Sequence, residues 1–236
     1  MMSRRALRKI DAGLDLSRNL LMLEQLPRPW NDLTIFGQKS PLEVEVGSGK
    51  GLFVTQAAAM RPEHNFLGVE ISAKYARFCA ARFVKRGLAN ARVVHGDAQR
   101  LLAEVLSDGS VAALHVYFPD PWWKKRHKKR RVINEGFVRH VERVLEPGGR
   151  LHFWTDVEEY FQTTLELIAA AGQLVGPLEV QERVAESDLD YRTHFERRMR
   201  LGGQAVYRAE FRKVGSPTQS VAALHCHAAR GNEGAC

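Results

Sequence analysis

The hydrophobic period of this chain switches repeatedly between that of a strand and that of a helix, and the switching limits the folds open to it more than any single motif does. PLEVEV (41–46) reads as a strand, and the Gly-rich GSGKG leads from it into the helical LFVTQAAAM, which Pro62 closes. NFLGVE (65–70) is a second strand. Ser72 is expected to cap the helix AKYARFCAARFVKR, and Gly87 to stop it. ARVVHG, VAALHVYF and RLHFWTD continue the strand series. Helices are predicted between and after them from DAQRLLAEVL, from the stripe Phe137, Val138, Val141, Val144 and Leu145, and from VEEYFQTTLELIAAAG. VAALHVYF is apolar enough to be buried on both faces, as central parallel strands are. Beyond residue 172 the period changes: LEVQERV and QAVYRAEFRKV alternate like strands, with a polar segment between them. Five βα units and a final β pair predict an α/β fold, a doubly wound and mostly parallel seven-stranded sheet with an antiparallel terminal strand. The domain is expected over 41–214, with 1–40 as an N-terminal segment packing on it and 215–236 as a loose tail.

At 236 residues the chain can bury a sizeable core. Its net charge is +8, and the run KKRHKKRR (124–131) holds seven of its 35 Lys and Arg residues. Outside that run 28 cations face 27 acids, so nearly all the excess charge sits in one short segment. Such a segment suits a polyanionic partner met at one place, or else a solvated loop or an import-like signal. Cys79, Cys226 and Cys236 have no close pairing, which argues against a disulfide framework and a zinc site. HCH at 225–227 lacks partner ligands, so no metal is expected. Neither a membrane span nor a signal-peptide core stands out, and a reducing cytoplasm is the expected compartment.

In an open α/β sheet, ligands bind beyond the carboxyl ends of the strands. Five consecutive strand ends here carry an acid: Glu45, Glu70, Asp97, Asp120 and Asp156. GSGKGL, with Gly47 and Gly49, lets a ligand approach the backbone or simply makes a tight strand–helix connection. Leu52 stands where a dinucleotide fingerprint wants Gly or Ala, and Gly51 follows Lys50 where a P-loop needs Ser or Thr. Glu70 lies about twenty residues after the glycines, where a carboxylate accepts from a ribose diol. Asp97 can accept from an adenine amino group. Together these describe an adenosine-bearing cofactor without pyrophosphate, of which S-adenosylmethionine is the common one. Glu45 would attract its cationic end.

LEVEVGSGKG, FLGVE, GDAQ, YFPDPWWKKRHKKRR, GGRLHFWTD and RTHFERR, in that order, resemble the motifs of the bacterial tRNA (guanine-N7)-methyltransferases, class I enzymes with a Rossmann-like sheet. The resemblance runs from about Trp30 to Lys213. It implies methyl transfer from S-adenosylmethionine to a guanine N7 of tRNA, at position 46 in the variable loop. It places Glu45, Gly47, Gly49, Glu70, Asp97 and Asp120 at the cofactor, with Asp120 as the catalytic aspartate. Lys124, Asp156, Thr193, His194, Phe195 and Glu196 would hold the target nucleotide. Lys125, Arg126, His127, Lys128, Lys129, Arg130 and Arg131 would meet RNA. No DNA, membrane or obligate protein partner is expected. Without the resemblance, RTHFERR reads as a charged surface helix end, and Trp122 and Trp123 either pack the corner or stack on a base. The competing readings are a class I methyltransferase acting on another RNA, a protein or a small molecule, and a non-catalytic RNA-binding protein.

Overall fold

The computed structural model describes residues 9–122, 124–180 and 191–215. Among them one sheet contains eight strands: β1 (Leu20–Met22), β2 (Leu42–Val46), β3 (Asn65–Glu70), β4 (Ala91–His95), β5 (Val111–Tyr117), β6 (Leu145–Thr155), β7 (Val175–Leu178) and β8 (Tyr207–Arg212). Their spatial order is β1-β4-β3-β2-β5-β6-β8-β7. Pairing is parallel from β1 through β6, β8 runs antiparallel to β6, and β7 runs antiparallel to β8. The helices are α1 (Asp32–Phe36), α2 (Leu52–Met60), α3 (Ala73–Lys85), α4 (Ala98–Glu104), α5 (Glu135–Val144), α6 (Glu158–Ala171) and α7 (His194–Leu201). None among the described residues is long and apolar enough to cross a membrane.

The doubly wound, mostly parallel sheet is as expected, but it has eight strands rather than seven. The additional one, β1, comes from the N-terminal segment and pairs with β4 at the sheet edge. Three residues are too few to show an alternating period. What holds them is tertiary: the buried Asn19 donates its amide to the carbonyl of Ala91 at 2.9 Å. The strand expected over 178–184 begins earlier, at Val175, and ends at Leu178; residues 181–190 lie outside the described residues. Also outside are Trp123, residues 216–236 with their HCH sequence, and the side chains of Lys125, Lys128 and His194. Ser72 occupies the N-cap of α3 without a side-chain cap bond. Its amide instead donates to Glu70 Oε1 at 2.8 Å.

Register decides what each face of the sheet carries. Val44, Leu67, Val94, Leu114 and Phe153 point to one face and form the larger apolar core with Leu101, Val141 and Ile168 of α4, α5 and α6. The other face has Phe66, Val93 and Trp154 against Phe53 and Phe83 of α2 and α3. It also has Glu43, Glu45 and His115, all buried, so β5 is buried on both faces as expected but carries a polar group on one of them. Each of these polar groups is stable there only with a partner or with its charge removed.

Candidate active site

The chain leaves β2 toward β3 and β4, then returns to β5 on the other side of β2. That reversal opens a crevice beyond the carboxyl ends of β2 and β5. The glycine turn forms one lip. Gly47 and Ser48 donate their amides to the carbonyl of Val69 at 2.9 and 3.0 Å, and Gly49 donates to Glu70 Oε2 at 2.8 Å. Gly51 closes the turn at φ 68°, and a Cβ there would stand 2.3 Å from Cys79 Sγ. No side chain fits between the start of α2 and α3.

Glu45 and Glu70 sit beneath this lip. Glu45 is 4% exposed, and its Oε2 has no hydrogen-bond partner among the described residues. Burial, with a smaller contribution from the charge of Glu70, pushes its carboxyl up to about 8, against the pull of a Ser48 hydrogen bond. A buried carboxylate oxygen without a partner, next to a second carboxylate, suits a small cationic group. Glu70 is clamped by the Gly49 and Ser72 amides, which join the glycine turn to the head of α3. Asp97 is exposed and caps α4, accepting from the Gln99 amide at 2.8 Å. Sequence reasoning passed over Ile71, which stands between Glu70 and Ser72 with 70% of its surface exposed. Its signal is an apolar residue directly after a strand-end acid, outside any helical or strand period.

The opposite lip is the FPDPW corner. Phe118 and Trp122, flanking Pro119, Asp120 and Pro121, take φ values of 50° and 45°. Two bulky residues in the left-handed region cost roughly 1–3 kcal/mol each, and surrounding contacts must hold them. The Phe118 amide donates to the carbonyl of Trp154 at 2.8 Å. Arg131 Nε donates to the carbonyl of Pro121 at 2.8 Å, with its guanidinium 4.4 Å from the Tyr160 ring centre and Nη1 3.4 Å from Thr163 Oγ1. Arg131, expected to meet RNA, is 8% exposed and turned inward. It braces the corner because the chain bends back at the end of the basic run. Lys125–Arg130 form a 3₁₀ turn. Arg130 lies 5.1 Å from the Trp122 ring and His127 5.8 Å from it. Lys124, Arg126, Lys129 and Arg130 are exposed, as is Asp120, while Asp156 just past β6 is half-buried.

Thr193 caps α7 and accepts from the Glu196 amide at 2.9 Å. Glu196, expected to read the guanine edge, is 1% exposed. Its Oε2 accepts from the Arg192 amide at 2.7 Å, and its Oε1 lies 3.4 Å from Arg200 and 3.7 Å from Arg208. The carboxylate is committed to protein donors and anchors the segment. Phe195 packs on Phe118 at 4.9 Å, which brings this segment onto the Asp120 corner.

A family model described as "Putative methyltransferase" matches residues 39–209. A tRNA (guanine-N(7)-)-methyltransferase of Rhodopirellula baltica is 51% identical, over 90% of this chain and 80% of that protein. One of Cupriavidus necator is 37% identical, over 82% and 74%. Among solved structures, the aminoglycoside resistance methyltransferase NpmB1 shares the fold, with a TM-score of 0.55 at 20% identity over 80% of this chain and 95% of that one. With the glycine turn, the strand-end acids and the FPDPW corner gathered at one crevice, these matches establish that the chain belongs to the tRNA (guanine-N7)-methyltransferase family.

Proposed function

We propose that this protein transfers the methyl group of S-adenosylmethionine to N7 of a guanine in tRNA, at position 46 of the variable loop. The observation that carries the reading is the contact of Phe195 on Phe118. It sets the 193–196 segment against the Asp120 corner. The names of the relatives supply the substrate class.

S-adenosylmethionine, when bound, supplies an electrophilic methyl group on a sulfonium. Glu45 would hold its cationic end, Glu70 the ribose diol, and Ile71 an apolar face of the adenine. Asp97 would meet the adenine amino group with the oxygen its cap bond leaves free. Guanine N7 already presents a lone pair in the ring plane, so no proton has to be removed. The residues must instead align the base and favour the positive charge that appears on its imidazole ring. Asp120, exposed at a braced corner, is suited to that. Lys124, Asp156 and Thr193 surround the target nucleotide, and Arg126, Lys129 and Arg130 face its phosphates.

The test is transfer of labelled methyl to unmodified tRNA followed by nucleoside mass spectrometry, with 7-methylguanosine as the expected product. Another methylated nucleoside, or transfer to protein only, overturns the reading. A second measurement concerns the exposed cations. Arg126→Ala combined with Lys129→Ala is expected to weaken tRNA binding and to make the log Kd against log salt plot shallower by about 1.5. An unchanged slope would remove the basic turn from the RNA interface. The proposed compartment is the cytoplasm, where such a substrate is found.

A further inference from the structure

A chain of polar groups crosses the face of the sheet that α2 and α3 share with the 191–201 segment. Glu43 Oε2 lies 2.9 Å from His115 Nε2, and His115 Nδ1 lies 2.9 Å from the Tyr117 hydroxyl. Arg192 Nη1 donates to that same hydroxyl at 2.7 Å. With a neutral His115 only one direction is open. Arg192 can only donate, so Tyr117 accepts from it, and Tyr117 turns its own O–H to the unprotonated Nδ1 of His115. His115 is then the neutral tautomer protonated at Nε2, which donates to the Glu43 carboxylate. Every member has its partner: the donors run Arg192, Tyr117, His115, and the Glu43 carboxylate accepts at the end. Burial lowers the basicity of His115, against the pull of Glu43 and with further lowering from Arg192 and Arg61. Burial likewise raises the Tyr117 phenol. Both groups therefore keep the protonation states the chain requires. His152, stacked on His115 at 4.7 Å, is held neutral by burial and by the cations around it.

The far end of this chain is a substrate-side residue. The Arg192 guanidinium lies 4.8, 5.8 and 6.0 Å from the ring centres of Trp154, Tyr117 and Phe53. A guanidinium over aromatic rings slides easily, because that attraction is weakly directional; the hydroxyl of Tyr117 gives it one position. The Arg192 backbone amide donates to Glu196, and Thr193 follows directly. Where Arg192 stands therefore sets where the 193–196 segment meets the Asp120 corner. None of these four groups is required by the chemistry at N7.

We infer that Tyr117 is a positioning residue for tRNA, acting through its hydrogen bonds to Arg192 and His115 to set the substrate-side segment. The inference rests on the function proposed above. Tyr117→Phe keeps the ring and deletes only the hydroxyl. Arg192→Gln tests the same link from its half-buried end without opening the core, and decides the matter if Tyr117→Phe does not fold. Each is expected to raise the KM for tRNA about tenfold, with kcat within about threefold and S-adenosylmethionine affinity within about twofold. The double variant is expected to be no worse than either single one, since both break one link. Unchanged KM in the variants, additive effects, or a parallel loss of cofactor affinity would overturn the inference while leaving the reaction intact. If the wild-type chain itself does not methylate tRNA, the proposed function fails first, and the wild-type control shows it.

Discussion

Asp120→Ala is expected to lower kcat by about two to three orders of magnitude while leaving the Kd for tRNA within about twofold. The expectation follows from the corner's construction. Phe118 and Trp122 hold strained left-handed backbone on either side of the Pro-Asp-Pro unit, and each proline fixes its own φ and restricts the backbone of the residue before it. Arg131 fixes the corner from beneath, through the carbonyl of Pro121. A carboxylate on so constrained a backbone need not reorganise as charge develops on the methylated base, and that is where electrostatic stabilisation is largest. Because Asp120 is exposed, its removal leaves no cavity. Asp120→Asn separates charge from shape. If charge is what matters, Asn falls almost as far as Ala in single-turnover measurements at saturating tRNA. An Asn variant at full rate would mean that the side chain only fills space.

The second large effect concerns stability in acid. Glu43 and Glu45 point to the same face of β2, two residues apart, yet they titrate in opposite directions. Burial raises the carboxyl of Glu43, but the hydrogen bond from His115 and the hydrogen bonds and charge of Arg61 outweigh it and bring it down to about 2. His64 adds a contact at 2.8 Å. A carboxyl held below its ordinary 4.5 stabilises the fold fully above pH 4.5 and loses that contribution as pH falls toward 2. The shift corresponds to about 3 kcal/mol. Glu43→Gln is therefore expected to lower stability by about 3 kcal/mol at pH 7, since it leaves Arg61 without its ion partner. The deficit should shrink between pH 4.5 and 2, as measured by urea unfolding across pH. A deficit that persists at pH 2 would mean that the packing of Glu43, not its charge, is what the fold uses. Glu45 works the other way. With its folded value near 8, the folded chain holds an extra proton between pH 4.5 and 8, so this residue's contribution to stability falls as pH rises through that window. A bound cation would reverse that loss.

Much of the fold was legible because the signals that specify it are local. The switch between strand and helix periods, the glycine turn, and the Gly87 stop after α3 each involve residues within a few positions of one another. β1 was not legible, since a three-residue edge strand has no period and is recruited by the 91–95 strand it joins. The strand-end acids were legible as a set, because β–α connections put them all at one rim. Their separate roles were not. Nothing in EVE (43–45) tells which glutamate meets His115, a residue 72 positions away from the one that does.

Chain order alone thus determined the doubly wound sheet, the rim at which a ligand can sit, and the single corner where a carboxylate precedes a block of cations. Tertiary structure alone decided which members of those motifs stay exposed at the rim and which turn into the protein. Arg131 and Glu196 belong to the most recognisable stretches of the sequence, and both turn inward to hold their segments. The physical reason is range. Backbone propensity and turn chemistry act over a few residues, whereas a buried charge is settled by whatever partner the register of distant strands brings within about 3 Å.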